Sequence, residues 1–221
     1  MSHRKRGTAV NGDLFALEHP SLDLSAPFSS HVDVAFDGVT HQVLTTAGRE
    51  AFCYADTVGE FAVGELRGHV IETLDSVATQ ATHRHQAIVS TDIGALSVHG
   101  YDGSERLLAL VAALRPVATP LGIAIAPDDG VEIAAAPKVA LATDVGLFEI
   151  TPLTTATDRE LPRWRGTAVA HGDLYGGTIG DESPYLVLVT RTARVVAMPA
   201  ANTDADTLAA STAELAATWT T

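Results

Sequence analysis

The stretch QAIVSTDIGALSVHGYDGSERLLALVAALR, residues 86–115, contains the two patterns from which the fold is predicted. Short apolar runs on either side of Thr91-Asp92-Ile93-Gly94 are typical of a β-hairpin. Asp102 and Glu105 then have the spacing of a capping box, and Pro116 stands where the helix should end. The helix presents one apolar stripe, formed by Leu107, Leu108, Val111 and Leu114. The stretch therefore predicts a hairpin followed by a helix at 104–115.

Residues 185–219 repeat this plan near the other end of the chain. A hairpin is expected across Thr190-Arg191-Thr192-Ala193, and Thr203 with Asp206 has the spacing of a second helix cap. A helix is therefore predicted at 204–218. The residues expected on its buried side are Leu208, Leu215 and Trp219. Two hairpin-plus-helix units predict a two-fold pseudo-repeat.

A second internal repeat, or echo, has more identical residues, but the offset between its two copies, in residues, is different. Residues 6–10 read RGTAV, and the same letters recur at 165–169. NGDLF at 11–15 is then echoed by HGDLY at 171–175, after one inserted alanine. Because the two echoes have different offsets, they do not define one tandem duplication, and chance remains an alternative in a chain so rich in Ala, Thr and Val.

The rest of the chain is read mainly as strands. Asp37-Gly38 lies between alternating runs, which is typical of a tight hairpin turn. A helix is expected within 60–81, where apolar residues recur at helical spacing. Further strands are expected at 122–126, 131–135, 139–142 and 146–151. The predicted class is α+β with antiparallel strands, organised as an N-terminal half, 1–120, and a C-terminal half, 121–221, or as one continuous domain.

Residues 90–96, followed by the helical run 105–114, resemble the roadblock/LC7 family. Modules of that family open with a strand, a turn near a glycine, a second strand and an Ala/Leu-rich helix. The resemblance covers about 30 residues and implies a non-enzymatic, dimerising adaptor for a small GTPase.

Composition excludes several functional classes. The 221 residues carry a net charge of −13, and the basic cluster at residues 3–6 is read as a solvated terminus, so no nucleic-acid partner is expected. The single cysteine permits no internal disulfide. No apolar run is long enough for a membrane span or a signal peptide, so the sequence predicts a cytoplasmic protein with no membrane partner.

Two groups of residues were weighed as chemical sites. His83 and His85 would share one face of a strand, with His99 across the hairpin, but no further ligand completes a metal pattern, and no metal or cofactor is predicted. The stretch 171–180 combines an imidazole, a carboxylate and a phenol with a loop of three glycines at 176, 177 and 180, whose backbone could approach a ligand. Turn chemistry is the alternative explanation. The candidate ligand-binding residues are His171, Asp173, Tyr175, Gly176 and Gly177.

These observations predict a non-enzymatic binding or adaptor protein that binds a protein partner or a second copy of itself. No catalytic residue is assigned. Two alternatives stay open at this point: a small-ligand enzyme that uses the loop of His171 and Asp173, and a structural subunit of a virion or another assembly.

Overall fold

A computed structural model describes residues 2–47, 57–63, 66–75, 82–92, 94–100, 103–154, 161, 165–179 and 183–221. These residues form 18 strands and two helices, so the predicted α+β class is wrong and the protein is more nearly all-β. Valine and threonine favour strands because their branched side chains fit a pleated surface. Within the described residues, neither helix is long and apolar enough to cross a membrane.

The chain forms two compact units. We call the first the terminal unit; it comprises Met1–Gly7, Asp13–Phe28 and Lys138–Thr221. The second, the central unit, comprises Thr8–Gly12 and Ser29–Pro137. The predicted division of the sequence into two halves at residue 120 is not tested by these units and stays a prediction.

The central unit contains one large antiparallel sheet, one helix and a small hairpin. Its elements are β3 (Phe28–Phe36), β4 (Val39–Ala47), β5 (Thr57–Val63), β6 (Leu66–Asp75), β7 (Thr82–Ser90), β8 (Gly94–Gly100), α1 (Ser104–Leu114), β9 (Pro116–Thr119), β10 (Gly122–Ile125) and β11 (Val131–Ile133). The strand order is β3-β4-β8-β7-β6-β5; β11 pairs with β3, and β9 pairs with β10. Asp37 and Gly38 both have positive φ, so the predicted tight turn between β3 and β4 is confirmed.

The helix expected within 60–81 is absent from the described residues of that range, which form β5 and β6 instead. Leu66 and Val70 are four residues apart, a spacing that shares a face in a strand as well as in a helix. Both side chains are at least partly buried, as expected for residues of an apolar face. Their spacing alone did not distinguish a helix from a strand. Val77 and Ala81, which completed the helical pattern, lie outside the described residues.

Helix α1 begins at Ser104, close to its predicted start. Its N-cap residue is Gly103, one position after the predicted Asp102, and Gly103 provides no side-chain hydrogen bond; Asp102 lies outside the described residues. The buried side chains of the helix are Leu107, Leu110, Val111 and Leu114. They pack with Val89 and Val98 of β7 and β8, so the helix is held to the hairpin that precedes it by one apolar cluster.

The terminal unit contains a second large antiparallel sheet, a helix and a three-stranded sheet. Its elements are β1 (His3–Thr8), β2 (Leu14–His19), β12 (Lys138–Ala142), β13 (Gly146–Pro152), β14 (Thr167–Val169), β15 (Gly172–Ile179), β16 (Ser183–Val189), β17 (Ala193–Pro199), α2 (Ala205–Glu214) and β18 (Ala216–Thr220). The large sheet has the order β14-β15-β16-β17-β13-β12, and the small sheet has the order β1-β2-β18.

Both units share one strand order. A hairpin (β3–β4 or β12–β13) pairs through its second strand with the last strand of a four-stranded meander (β5–β8 or β14–β17). A helix follows the meander and packs on its last two strands, and a strand follows the helix. The sheet and its helix therefore form the same supersecondary unit twice.

The end of the chain differs from the predicted helix 204–218. Asp204, and not Thr203, is the N-cap, because its Oδ1 accepts the N–H of Thr207 at 2.7 Å. The helix ends at Glu214, and Trp219 lies in β18, where it stacks near Phe15. Strand β18 was missed because its pairing partner, β2, is distant in sequence.

Candidate functional site

Four turns of the described chain begin with a threonine that closes the turn. In the turns 91–94, 119–122, 143–146 and 190–193, the threonine hydroxyl oxygen lies 3.0–3.1 Å from the carbonyl oxygen of the fourth residue. The turn 190–193 differs because its Thr190 hydroxyl also lies 2.9 Å from the carbonyl oxygen of Ala217 in β18. In the same turn, the Thr192 hydroxyl accepts the N–H of Trp219 at 3.0 Å. This turn therefore ties the large sheet of the terminal unit to β18.

The residues predicted as a ligand loop are distributed along a hairpin. His171 is exposed in the turn between β14 and β15, whereas Gly176 and Gly177 lie inside β15 and not in a loop. Asp173, Tyr175 and Gly177 share one face of β15, because side chains alternate along a strand. Four residues of strand span about 13 Å, so His171 and Tyr175 are not adjacent. Gly180, the third glycine of the pattern, lies outside the described residues.

Two of the glycines near this hairpin are covered by tyrosine rings. A Cβ added to Gly166 would lie 2.9 Å from Tyr175 Cζ, and one added to Gly177 would lie 2.6 Å from Tyr185 Cζ. A ring laid over a facing glycine is a known way to stabilise strand pairs. Gly7 has the same relation to Phe15 in β1–β2. The echoed stretches 6–15 and 165–175 therefore share their packing as well as their letters.

Gly172 places the His171 turn beside the turn 190–193. A Cβ at Gly172 would lie 3.2 Å from Thr190 Cα and would collide with the carbonyl oxygen of Val189. Only glycine permits the backbones to approach this closely. His171 and Arg191 consequently line one cavity of about 480 Å³ together with Thr190, Thr192 and residues 216–220.

The large sheet of the terminal unit has one face that carries α2 and one face that does not. Gly146 lies on the α2 side, where an added Cβ would be 3.2 Å from Leu208 Cδ1, so its neighbour Leu147 points to the other side. We call that other side the tyrosine face. Its apolar members are Leu147, Tyr175, Tyr185, Val187, Val196 and Met198, and the charged residues Glu149, Asp173 and Arg194 lie on the same side. Leu147 is 38% exposed and the remaining apolar members, apart from the buried Val187, are half-buried.

The histidines considered as metal ligands do not converge on one face. His85 pairs with Gly100 and Gln86 pairs with His99, so His85 and His99 point to opposite faces of the central sheet. Of the His83 side chain nothing is described. Among the described residues, no three His, Cys, Asp or Glu side chains are grouped as metal ligands.

A serine–histidine pair was missed by the sequence analysis. Ser97 Oγ lies 3.1 Å from His99 Nε2, and Gln86 Nε2 donates to Ser97 Oγ at 2.5 Å. The Ser97 side chain is fully buried, so a substrate cannot reach its oxygen. The arrangement resembles a nucleophile and its base in distance, but its burial makes it a structural hydrogen-bond network. The i, i+2 spacing of Ser97 and His99 in a strand was the available signal.

Lys5 is the perturbed base of the terminal unit. Its Nζ donates to the carbonyl oxygens of Ser25 at 3.2 Å and Ala26 at 2.6 Å, and lies 5.8 Å from the centre of the Phe28 ring. Burial lowers the pKa of this ammonium, while the charge of Asp23 acts in the opposite direction. The two carbonyl contacts show that Lys5 fastens residues 25–28 to β1.

Comparison with known proteins assigns no function to these residues. No protein-family model, no curated protein and no solved structure matches the chain. The cavity at His171 and Arg191 and the tyrosine face are therefore the two candidate functional features of the described chain.

Proposed function

We propose that this protein is a non-enzymatic binding protein that self-associates through the tyrosine face. The observation that carries the proposal is a group of apolar side chains on the side of the sheet opposite α2: two tyrosines, one methionine and three aliphatic residues. Tyrosine and methionine are enriched at protein interfaces, where they provide large contact areas.

The apolar residues of this face form continuous rows across the strands. Tyr175 pairs with Val187, Val187 pairs with Val196, and Met198 pairs with Leu147 on the neighbouring strand. Directly opposed side chains in an antiparallel sheet are about 5 Å apart, so each row is a contiguous surface. A contiguous, half-exposed apolar surface favours binding to another protein over contact with water.

The charges at the border of the face favour a second copy as the partner. Asp173 pairs with Val189, and Val189 pairs with Arg194, so an acid and a base flank one apolar row. Lys138 and Glu149 form a second mixed pair, with 3.3 Å between Nζ and Oε1. In a two-fold interface each patch meets itself in reverse, and a border with both signs can then place opposite charges together.

Light scattering after size exclusion tests this proposal. The chain has a mass of 23.0 kDa, so self-association in pairs gives about 46 kDa at high protein concentration. Leu147→Glu should return the mass to that of one chain, because it places a charge in the apolar surface. Ile133→Glu is the matched control, since Ile133 is 41% exposed on the central unit against 38% for Leu147.

Two results would contradict the proposal. One is a wild-type protein that stays at the mass of a single chain across the accessible concentration range. The other is equal behaviour of the two glutamate variants, which would assign association to general solubility and not to this face. Larger particles of defined size would favour the assembly subunit instead.

A further inference from the structure

We propose that the cavity between His171, Arg191 and β18 binds a small molecule through an oxyanion group, either a carboxylate or a phosphate. This inference does not depend on self-association, because the cavity shares no lining residue with the tyrosine face. Three features carry it: the charge of the lining, the backbone groups of β18 and the way the cavity is built.

The charge of the lining is opposite in sign to that of the protein. The full chain has a net charge of −13, yet the lining residues include an arginine and a histidine and no carboxylate. Arg191 is exposed at the tip of its turn, and its guanidinium presents paired N–H donors that match the two oxygens of a carboxylate or phosphate. A local basic site on an acidic protein selects anionic ligands over the neutral molecules around it.

The outer edge of β18 supplies further polar groups. Trp219 N–H and the Ala217 carbonyl point away from β2, since they bond to Thr192 and Thr190. In an antiparallel strand the N–H and C=O of one residue point the same way, so the Ala217 N–H also faces this side. The hydroxyls of Thr218 and Thr220, both exposed, lie on the same strand and line the cavity. The Trp219 N–H is already bonded to Thr192, so the Ala217 N–H and the two hydroxyls are the donors that can complete the hydrogen bonding of an oxyanion held by Arg191.

The cavity is built by a contact that requires glycine. Because Gly172 has no Cβ, the His171 turn packs directly on Val189 and Thr190, and His171 and Arg191 line the same cavity. The volume, about 480 Å³, is in the range of small-molecule sites. The geometry therefore combines a cation, an imidazole and hydroxyl donors in a space of suitable size.

Calorimetric titration with inorganic phosphate, and separately with succinate, tests the site at constant ionic strength. We expect saturable binding of at least one of the two at concentrations up to about 50 mM, and the tighter one identifies the preferred oxyanion. Arg191→Gln should weaken binding about tenfold or more, because it removes a charge-assisted contact. His171→Gln should weaken it roughly threefold, the loss of one hydrogen bond.

Arg115→Gln is the matched control. It removes the same charge from an exposed pair with Asp128 in the central unit, and such pairs contribute little to stability. This variant should bind as the wild type does. The circular dichroism spectrum of each variant must match that of the wild type, and Arg191, being exposed, can be changed without loss of core packing.

The proposal is overturned if neither anion binds, if Arg191→Gln binds as tightly as the wild type, or if Arg115→Gln weakens binding equally. Each of these outcomes leaves the light-scattering test of self-association unaffected. A monomeric protein that still binds phosphate at Arg191 would overturn the proposed function alone and retain the oxyanion site.

Discussion

Replacing Thr190 by valine should separate a turn-closing hydrogen bond from one that joins two sheets. The Thr190 hydroxyl has one hydrogen to donate and lies 3.1 Å from the Ala193 carbonyl oxygen and 2.9 Å from that of Ala217. The Ala193 carbonyl already accepts the N–H of Thr190 at 2.9 Å, so the hydroxyl hydrogen is assigned to Ala217. The hydroxyl oxygen accepts the N–H of Ala193 at 3.1 Å.

Valine has nearly the shape of threonine but leaves two backbone groups without this partner, the Ala217 carbonyl and the Ala193 N–H. Each loss at a buried position costs about 1–1.5 kcal/mol, so Thr190→Val should lower the free energy of unfolding by about 2–3 kcal/mol. Thr143 is the matched control: its hydroxyl accepts the N–H of Gly146 at 3.2 Å, and its hydrogen bonds within the described residues stay inside its own turn. Thr143→Val should cost about 1 kcal/mol.

Urea denaturation followed by tryptophan fluorescence measures both variants, and thermal unfolding should show a decrease of about 5–10 °C for Thr190→Val against about 3 °C for Thr143→Val. Equal losses for the two variants would refute the reasoning, because the hydroxyl would then contribute only to its own turn.

Two further predictions concern adjacent glycines and a helix cap. Gly177→Ala should lower the free energy of unfolding by about 1–2 kcal/mol because its Cβ would displace the Tyr185 ring. Gly176→Ala is the control: its added Cβ would have its nearest neighbour at 3.7 Å, so the free energy should change by less than about 0.5 kcal/mol in the same denaturation assay. A larger loss for Gly176→Ala than for Gly177→Ala would contradict the ring contact. Asp204 has a lowered pKa because its carboxylate accepts the backbone N–H of Thr207, so its contribution is present at neutral pH and is lost as the pH falls through the folded-state pKa. Asp204→Ala should therefore differ from the wild type at neutral pH and converge with it in acid, and a difference independent of pH would exclude this capping role.

The local elements of the fold could be predicted from the sequence. The hairpin of β7 and β8 has the predicted turn at 91–94, with Ser90 paired to Ala95, because short-range pairing follows from the adjacent apolar runs and the turn between them. Strands β12 and β13 were predicted for the same reason, whereas β10 and β11 were predicted as strands without their partners, β9 and β3. The helix predicted within 60–81 was wrong because a four-residue spacing of apolar residues fits both a strand and a helix. Pairing with neighbouring strands, which the local sequence pattern does not contain, favours the strands.

The candidate site was only partly predictable. His171 was selected for its neighbours in sequence, but in the structure its relevant neighbours are Arg191 and β18, which only tertiary packing brings to it. Tyr175 and Gly177 were selected with it and instead take part in ring-on-glycine contacts. The sequence did contain one signal for this arrangement, Gly172. A glycine is required there because two backbone segments approach each other closely, and not because a ligand binds at that position.

The pairing of β2 with β18 has a consequence for the order in which the protein can fold during synthesis. The indole N–H of Trp219 donates to Asp13 across 206 positions of sequence, so this contact closes a very long loop. Closing such a loop costs entropy before any contact repays it, and residues 14–19 can pair only with β1 until 216–220 have left the ribosome. The central unit, drawn mainly from 29–137, has no such delay. A nascent chain released before β18 emerges should therefore hold a protease-resistant central core while the edge of β2 that pairs with β18 remains open to chaperones.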